Sequence, residues 1–299
     1  MPTFTNAPPS KDPDKISSYS KVLAGRLYRL QSRLIRSITR QRRQMTDVMG
    51  ASMLTDTIAR QGDWLFRWRS YVLLAFIPLG IYAISTHEPI EANFGETADR
   101  AWEIFCILLA FVGLGVRMMT IGYTPRGTSG RNTKEQVAES LNTTGMYSIT
   151  RNPLYLGNAI TYMAMALLTQ SLYFTLVMAL FLVIYLERII ATEERFLANK
   201  FGEEYRAWTA RVPVFFPKFS LWIPPALSFS MRNVLRREYS GFFAIIAAAV
   251  AINYAHEALG EGDTQIGALW IVFFLFGATV YVVLRSLKKH TDILTVEGR

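Results

Sequence analysis

The sequence predicts an all-α fold, a polytopic membrane helix bundle with about six transmembrane helices, and three observations lead there. Apolar stretches that approach or reach the roughly 20 residues needed to cross a bilayer run over 70–86, 102–121, 153–169, 172–190, 242–255 and 267–284. The loops between them alternate in charge, and the polar residues collect toward one side of the bundle. A content of 51% hydrophobic residues and a mean hydropathy of +0.20 would also suit a large soluble domain, so the distribution along the chain decides.

The first fifteen of the 299 residues are rich in Pro, Ser and charge and read as disordered. Then Tyr19, Leu23, Leu27, Leu30, Leu34 and Ile38 recur at three- and four-residue spacing, which places them on one stripe of a helix. Arg26, Arg29, Arg33, Arg36, Arg40 and Arg43 occupy the neighbouring arc. Such a basic amphipathic helix lies in the interface plane of an anionic membrane surface; the other reading is a helix docked on the rest of the chain or on a second copy. The expected organisation is therefore 1–62 as a disordered start and interfacial helix, 63–240 as the membrane core, and 241–299 as a transmembrane hairpin with a basic tail. No compact apolar core followed by a small-residue cleavage site opens the chain, so no signal peptide is expected.

Short cytoplasmic loops are enriched in Lys and Arg. The segment before the first span is strongly basic, and the next loop carries His87, Glu88, Glu91, Glu96 and Asp99 against Arg100 alone. Arg117, Arg126, Arg131, Lys134 and Arg151 mark an inner loop, the turn at Gln170 and Ser171 is uncharged, and bases return between Arg188 and Arg237. The loop with Glu257, Glu261 and Asp263 has no base, and the tail has Arg285, Lys288 and Lys289. This pattern predicts both termini in the cytoplasm, in a bacterial inner membrane or the endoplasmic reticulum.

The net charge of +9 is concentrated in those inner segments, where anionic lipid attracts each exposed base by about 1 kcal/mol. It indicates a membrane surface as partner and not nucleic acid. Cys106 is the single cysteine, inside the second span, which excludes an intramolecular disulfide or a thiolate cluster. No His/Cys cluster has metal-ligand spacing, so no metal is expected. Between the second and third spans lie about thirty residues without periodicity. Arg126 and Arg131 there are candidate substrate-binding residues, able to grip an anionic head group with their guanidinium forks, or the segment is a plain connector. The segment 201–240, broken by Pro213, Pro217, Pro224 and Pro225 and rich in Phe and Trp, suits the inner interface, where aromatic rings prefer to sit.

Arg151 stands at the mouth of the third span, and Pro153 suits the first helical turn because its missing N–H has no partner there. The helix N-terminus and the guanidinium together favour a carboxylate or phosphate; alternatively Arg151 snorkels to lipid phosphate. Glu187, Glu193 and Glu194 carry the fourth span out of the membrane. The short turn between the third and fourth spans returns them toward Arg151, as an Arg/Glu pair framing a site or as an exposed, salt-bridged helix end.

The order Arg151, Asn152, Pro153, Tyr155, Gly157, then Glu193 and Glu194, then Phe201, Gly202, Tyr205, Val212 and Pro217 resembles the isoprenylcysteine carboxyl methyltransferase and phospholipid methyltransferase superfamily of membrane enzymes. There the motif is Arg-His-Pro-x-Tyr-x-Gly, then Glu-Glu, then Phe-Gly-x-x-Tyr, and it covers about a quarter of this chain. The resemblance implies an S-adenosyl-L-methionine pocket at the cytosolic membrane face and methyl transfer to a membrane lipid or lipidated acceptor. It implies Arg151, Glu194 and Glu193 as the catalytic set, with Tyr147, Asn152, Pro153, Tyr155, Gly157 and Tyr205 around the cofactor. One position departs: Asn152 stands where the family has His, and asparagine takes up no proton near neutral pH.

With His87 and His256 expected on the outer side and His290 in the tail, no histidine base serves the site. An activated methyl group mainly requires an oriented, desolvated acceptor. A carboxylate or phosphate is already ionised, so O-methylation is the favoured expectation, with Arg151 on the acceptor anion or on the cofactor carboxylate. N-methylation of a phospholipid amine, with Glu193 or Glu194 taking the proton, is the alternative. A transporter or scaffold would carry polar residues deep in several spans or repeated halves, a pattern absent here.

Overall fold

The computed structural model describes residues 61–62, 64–68, 71–86, 89–125, 127, 138–261 and 265–298. The interfacial helix expected before residue 60, and Arg126 and Arg131, lie outside the described residues. A 3-10 turn, Val72–Phe76, leads into α1, Ile77–Thr86, followed by α2, Pro89–Phe94, α3, Glu96–Gly122, and the single turn α4, Met146–Ile149. Then come α5, Pro153–Leu168, α6, Leu172–Thr209, α7, Met231–His256, and α8, Ala268–His290. Among the described residues there is no strand, and the all-helical fold is as expected.

Among the described residues, four helices are long and apolar enough to cross a membrane: α3, α6, α7 with its continuation, and α8. The expected first and third spans are shorter than a bilayer requires. The first is five residues of 3-10 helix plus ten of α-helix, and α5 has 16 residues, which is about 24 Å at 1.5 Å per residue against a hydrocarbon thickness of about 30 Å. The limits of α5 are chemical. Pro153 occupies its first turn, and at its far end the Thr169 hydroxyl caps the Ala166 carbonyl at 2.7 Å while Gln170 turns the chain at φ +56°. Ser171 then opens α6, its Oγ accepting from the Phe174 amide at 3.4 Å.

Large apolar side chains remain exposed along the outer faces of these helices, among them Leu108 and Val112 on α3, Leu180 and Val183 on α6, and Val272 and Phe276 on α8. These are lipid-facing surfaces of an integral membrane protein. Without a hydrophobic drive between helices in lipid, small residues and polar cross-links hold them. A Cβ on Gly113 would lie 2.6 Å from the Gly157 carbonyl, and one on Gly157 would lie 2.6 Å from the Gly113 carbonyl. So α3 and α5 meet backbone to backbone, and Thr161 Oγ1 donates across the seam to Ala110 O at 3.2 Å.

A second link ties three helices. Arg117 on α3 donates through Nε and Nη2 to the Glu238 carboxylate on α7, at 2.9 and 2.7 Å, and through Nη1 to Asn158 Oδ1 on α5 at 2.8 Å. Arg117 is thus not one of the exposed bases of an inner loop, as its place in the charge pattern had implied. It lies inside α3, and Glu238 is 3% exposed. Partnerless, either charge would be costly at this depth.

Gly113→Val is expected to lower thermal stability in detergent by about 1–3 kcal/mol, the range for overpacking. Gly115→Ala, whose Cβ would meet nothing within 4 Å, leaves it unchanged; a temperature series of circular dichroism on both variants checks the contrast.

Candidate active site

The stretch between Gly145 and Asn152 carries little regular structure, yet its backbone is satisfied because it runs antiparallel to 213–223. The Gly145 amide donates to Ile223 O, Lys218 to Ile149 O and Arg151 to Pro213 O, each at 2.9 Å. Side chains complete the zipper: Ile223 N donates to Ser148 Oγ, Thr150 Oγ1 to Phe215 O, and Asn152 Nδ2 to Val214 O, again at 2.9 Å. Prolines at 213 and 217 offer carbonyls but no donors, which suits a segment that mostly accepts. Arg151 is thereby fixed at the mouth of α5.

From there Arg151 Nη1 reaches Glu194 Oε1 on α6 at 2.9 Å, the two side chains 15% and 28% exposed. The contact is an ion pair without full hydrogen-bond geometry: Arg151 Nε and Glu194 Oε1 are both buried and have no hydrogen-bond partner. Trp208 Nε1, on the same stretch of α6, is also buried without one. Tyr205, 4% exposed, hydrogen-bonds to Arg151 and packs with Trp208 and Val212 against Leu141 and Tyr147. Tyr205 and Trp208 are brought in by a kink. Inside α6, Gly202 adopts φ 52° and ψ −122°, a conformation open to glycine and strained for other residues.

The adjacent carboxylate takes a different partner. Tyr155 Oη donates to Glu193 Oε1 at 2.7 Å, so the consecutive glutamates of α6 engage either end of the first turn of α5. Tyr147 lies near enough to Glu193 to feel its charge. Burial, with the nearby Glu193 charge, pushes its phenol well above the usual tyrosine range against the opposing effect of Arg237 and Arg117. At neutral pH it is therefore a hydrogen-bond donor and not a base.

The sequence-derived candidates thus divide. Arg151, Glu194 and Tyr205 converge, with Glu193, Tyr155 and Tyr147 beside them. Pro153 is buried at the head of α5, Asn152 spends its amide on Val214, and the open face of Gly157 is filled by α3, with Arg117 Cγ 2.6 Å from where a Cβ would lie. These three build the scaffold around the site. Glu187 is exposed and turns to Arg188 at 3.4 Å. Trp208 and the Arg117–Glu238–Asn158 cross-link were not singled out by sequence reasoning; a lone Arg within an apolar stretch was the available signal for the latter.

Residues 103–204 match the family model described as phospholipid methyltransferase. The chain is also 36% identical over 132 residues to the cobalt-zinc-cadmium resistance protein CzcN of Cupriavidus metallidurans, a match covering 43% of this chain and 58% of that protein. It is 33% identical over 126 residues to the nickel-cobalt-cadmium resistance protein NccN of Alcaligenes xylosoxydans xylosoxydans, covering 42% and 56% respectively. The matches therefore span a little over half the length of these curated relatives. No solved structure matches the chain.

Gly202→Ala is expected to cost about 1–3 kcal/mol through backbone strain alone, since its Cβ would meet nothing within 4 Å. Glu238→Ala, which strands Arg117, is expected to cost about 3–5 kcal/mol; unfolding in detergent with increasing denaturant measures both.

The segment that supplies Arg117, the α5 N-terminus and both glutamates is thus the part of the chain similar to the phospholipid methyltransferase family, in agreement with the superfamily that the motif order resembles.

Proposed function

We propose that the protein is an integral membrane, S-adenosyl-L-methionine-dependent methyltransferase acting on a membrane lipid or lipidated acceptor, with its site at the cytosolic face. The observation that carries this reading is the Arg151–Glu194 pair, whose Nε donor and Oε1 acceptor are buried and without hydrogen-bond partners. The amino-acid end of the cofactor is a zwitterion, a carboxylate beside an ammonium group. Arg151 fits the carboxylate and Glu194 the ammonium, with the Trp208 indole N–H as a further donor. The cofactor, when bound, supplies an activated methyl group.

What the chain contributes is orientation and exclusion of water. Tyr205, Trp208 and Val212 wall the pair on one side. Tyr155 joins Glu193 to the apolar cluster around Tyr185 and Phe181, which suits the approach of a hydrophobic acceptor. An anionic acceptor oxygen needs no base, and Tyr147 in its protonated form is a donor. This supports O-methylation of a carboxylate or phosphate as the favoured reaction. The Tyr155–Glu193 contact favours the second reading specifically: Glu193 is placed to receive a proton from an amine, as N-methylation of a phospholipid would require. The names of the relatives concern metal resistance and say nothing about the methyl acceptor.

Calorimetric titration of the purified protein in nanodiscs with S-adenosyl-L-methionine is expected to show binding that weakens about tenfold or more in Arg151→Ala and in Glu194→Ala, the loss of a charge-assisted hydrogen bond. A folded wild type that does not bind the cofactor in lipid would overturn the reading. Incubation of membranes with methyl-labelled cofactor then separates the reactions: a label released as methanol by mild base marks a carboxyl methyl ester, and a base-resistant label is assigned by mass spectrometry of the lipid to a phosphate oxygen or, on an amine-bearing lipid, to nitrogen.

A further inference from the structure

Buried side-chain atoms without hydrogen-bond partners fall, among the described residues, into two groups at opposite ends of the bundle. Arg151, Glu194 and Trp208 form the group already described. The other comprises Gln170 Oε1, Asn253 Oδ1 and His256 Nε2, and it is separated from the first by the length of α5, about 24 Å. Three elements converge there: the first turns of α3, the turn between α5 and α6, and the end of α7.

The second group is held in place as a built site is. Gln170 Nε2 donates to Asp99, which leaves its carbonyl oxygen unpaired. The Gln170 backbone sits at φ +56°, the one non-glycine residue at positive φ among those described, and such strain persists only where the surroundings hold it. Asn253 Nδ2 donates to Glu103 at 3.0 Å, again leaving its oxygen unpaired. His256 is 6% exposed and lies beside the Thr169 backbone and Asp99. Past His256 the helix continues as one π-helical turn starting at Glu257, the kind of local irregularity that often marks functional sites. Glu103 feels the charges of both Asp99 and Glu257. Beneath lies an apolar floor of Cys106, Leu168 and Ala249.

The chemistry is one-sided: acceptor atoms surrounded by carboxylates. The geometry is not that of a metal ion, because no three His, Cys, Asp or Glu side chains among the described residues converge on one metal position. We propose that this cluster binds a primary ammonium group. A primary ammonium carries three N–H donors, which the Gln170 and Asn253 oxygens and the His256 imidazole, in its Nδ1–H tautomer, accept, and its charge matches the carboxylates. Because α3 and α7 are long enough to span the membrane, their ends lie at headgroup level, so the ammonium belongs either to an aminophospholipid or to a free amine in solution.

The test uses the full-length protein in phosphatidylcholine nanodiscs, titrated with ethanolammonium chloride and, at equal ionic strength, with tetramethylammonium chloride, which has the charge without the donors. Ethanolammonium is expected to raise the Tm saturably and tetramethylammonium to leave it unchanged. Asn253→Leu should weaken the ethanolammonium effect about tenfold, and Asn253→Asp, which replaces the amide donor to Glu103 by a second carboxylate whose repulsion a bound ammonium relieves, should tighten it. Replacing the lipid by phosphatidylethanolamine distinguishes the sources. A Tm already raised and no longer responsive to the free amine identifies the lipid headgroup, and an unchanged response identifies a soluble amine; either supports the site. No saturable response in the wild type, or an equal response to tetramethylammonium, overturns it. Should Asn253→Leu fail to fold, the Asp variant decides, and unaltered affinity there also overturns the proposal.

Discussion

The backbone contact between α3 and α5 is the constraint on which the rest of the structure depends. In lipid, helices gain little by hiding apolar surface from one another, so association rests on close approach and on polar groups that find partners. Gly113 and Gly157 remove the side chains that would hold the two helices apart. The same closeness lets Arg117 lie across Gly157 and reach both Asn158 on α5 and Glu238 on α7. One small-residue seam thereby sets the spacing of three helices, and it holds the N-terminus of α5 where Arg151 can meet α6.

A second constraint shapes the site itself. Backbone without a helix must still find hydrogen-bond partners near the membrane, and here two irregular segments distant in sequence satisfy each other. The antiparallel pairing of 145–152 with 213–223 makes Arg151 a fixed point, because its own amide and the side chains on both sides of it are committed to that pairing. The Gly202 kink brings Tyr205 and Trp208 back over the ion pair. A few donors and acceptors are thus left without internal partners in one small region, and a second group of unpaired atoms stands at the far end of α5.

Much of the architecture was legible because hydrophobicity and charge are local properties of the chain. Each of the six apolar stretches lies largely within a helix, and Pro153 announced the start of α5. Length was less legible. The apolar pattern of α5 does not itself show that Thr169 and Gln170 close the helix short of a bilayer's thickness. Charge counting misplaced Arg117, since a base near the end of an apolar stretch has the same local signature whether it faces headgroups or a carboxylate 121 positions away.

By itself the sequence determined that the chain is helical and membrane-embedded, that polar residues gather at the mouth of the α5 and α6 hairpin, and that the motif order is that of a methyltransferase superfamily. The first two follow from composition, periodicity and spacing, which are properties of neighbouring residues, and the third is a resemblance carried by the motif residues. Only the tertiary structure decided which glutamate meets Arg151 and which meets Tyr155. It also turned Asn152 and Gly157 into scaffold, added Trp208 to the site, and gathered Gln170 from the turn after α5 beside Asn253 and His256 at the end of α7. The physical reason is that a side chain's role depends on which donors, acceptors and charges stand opposite it. Those partners come from helices far apart along the chain.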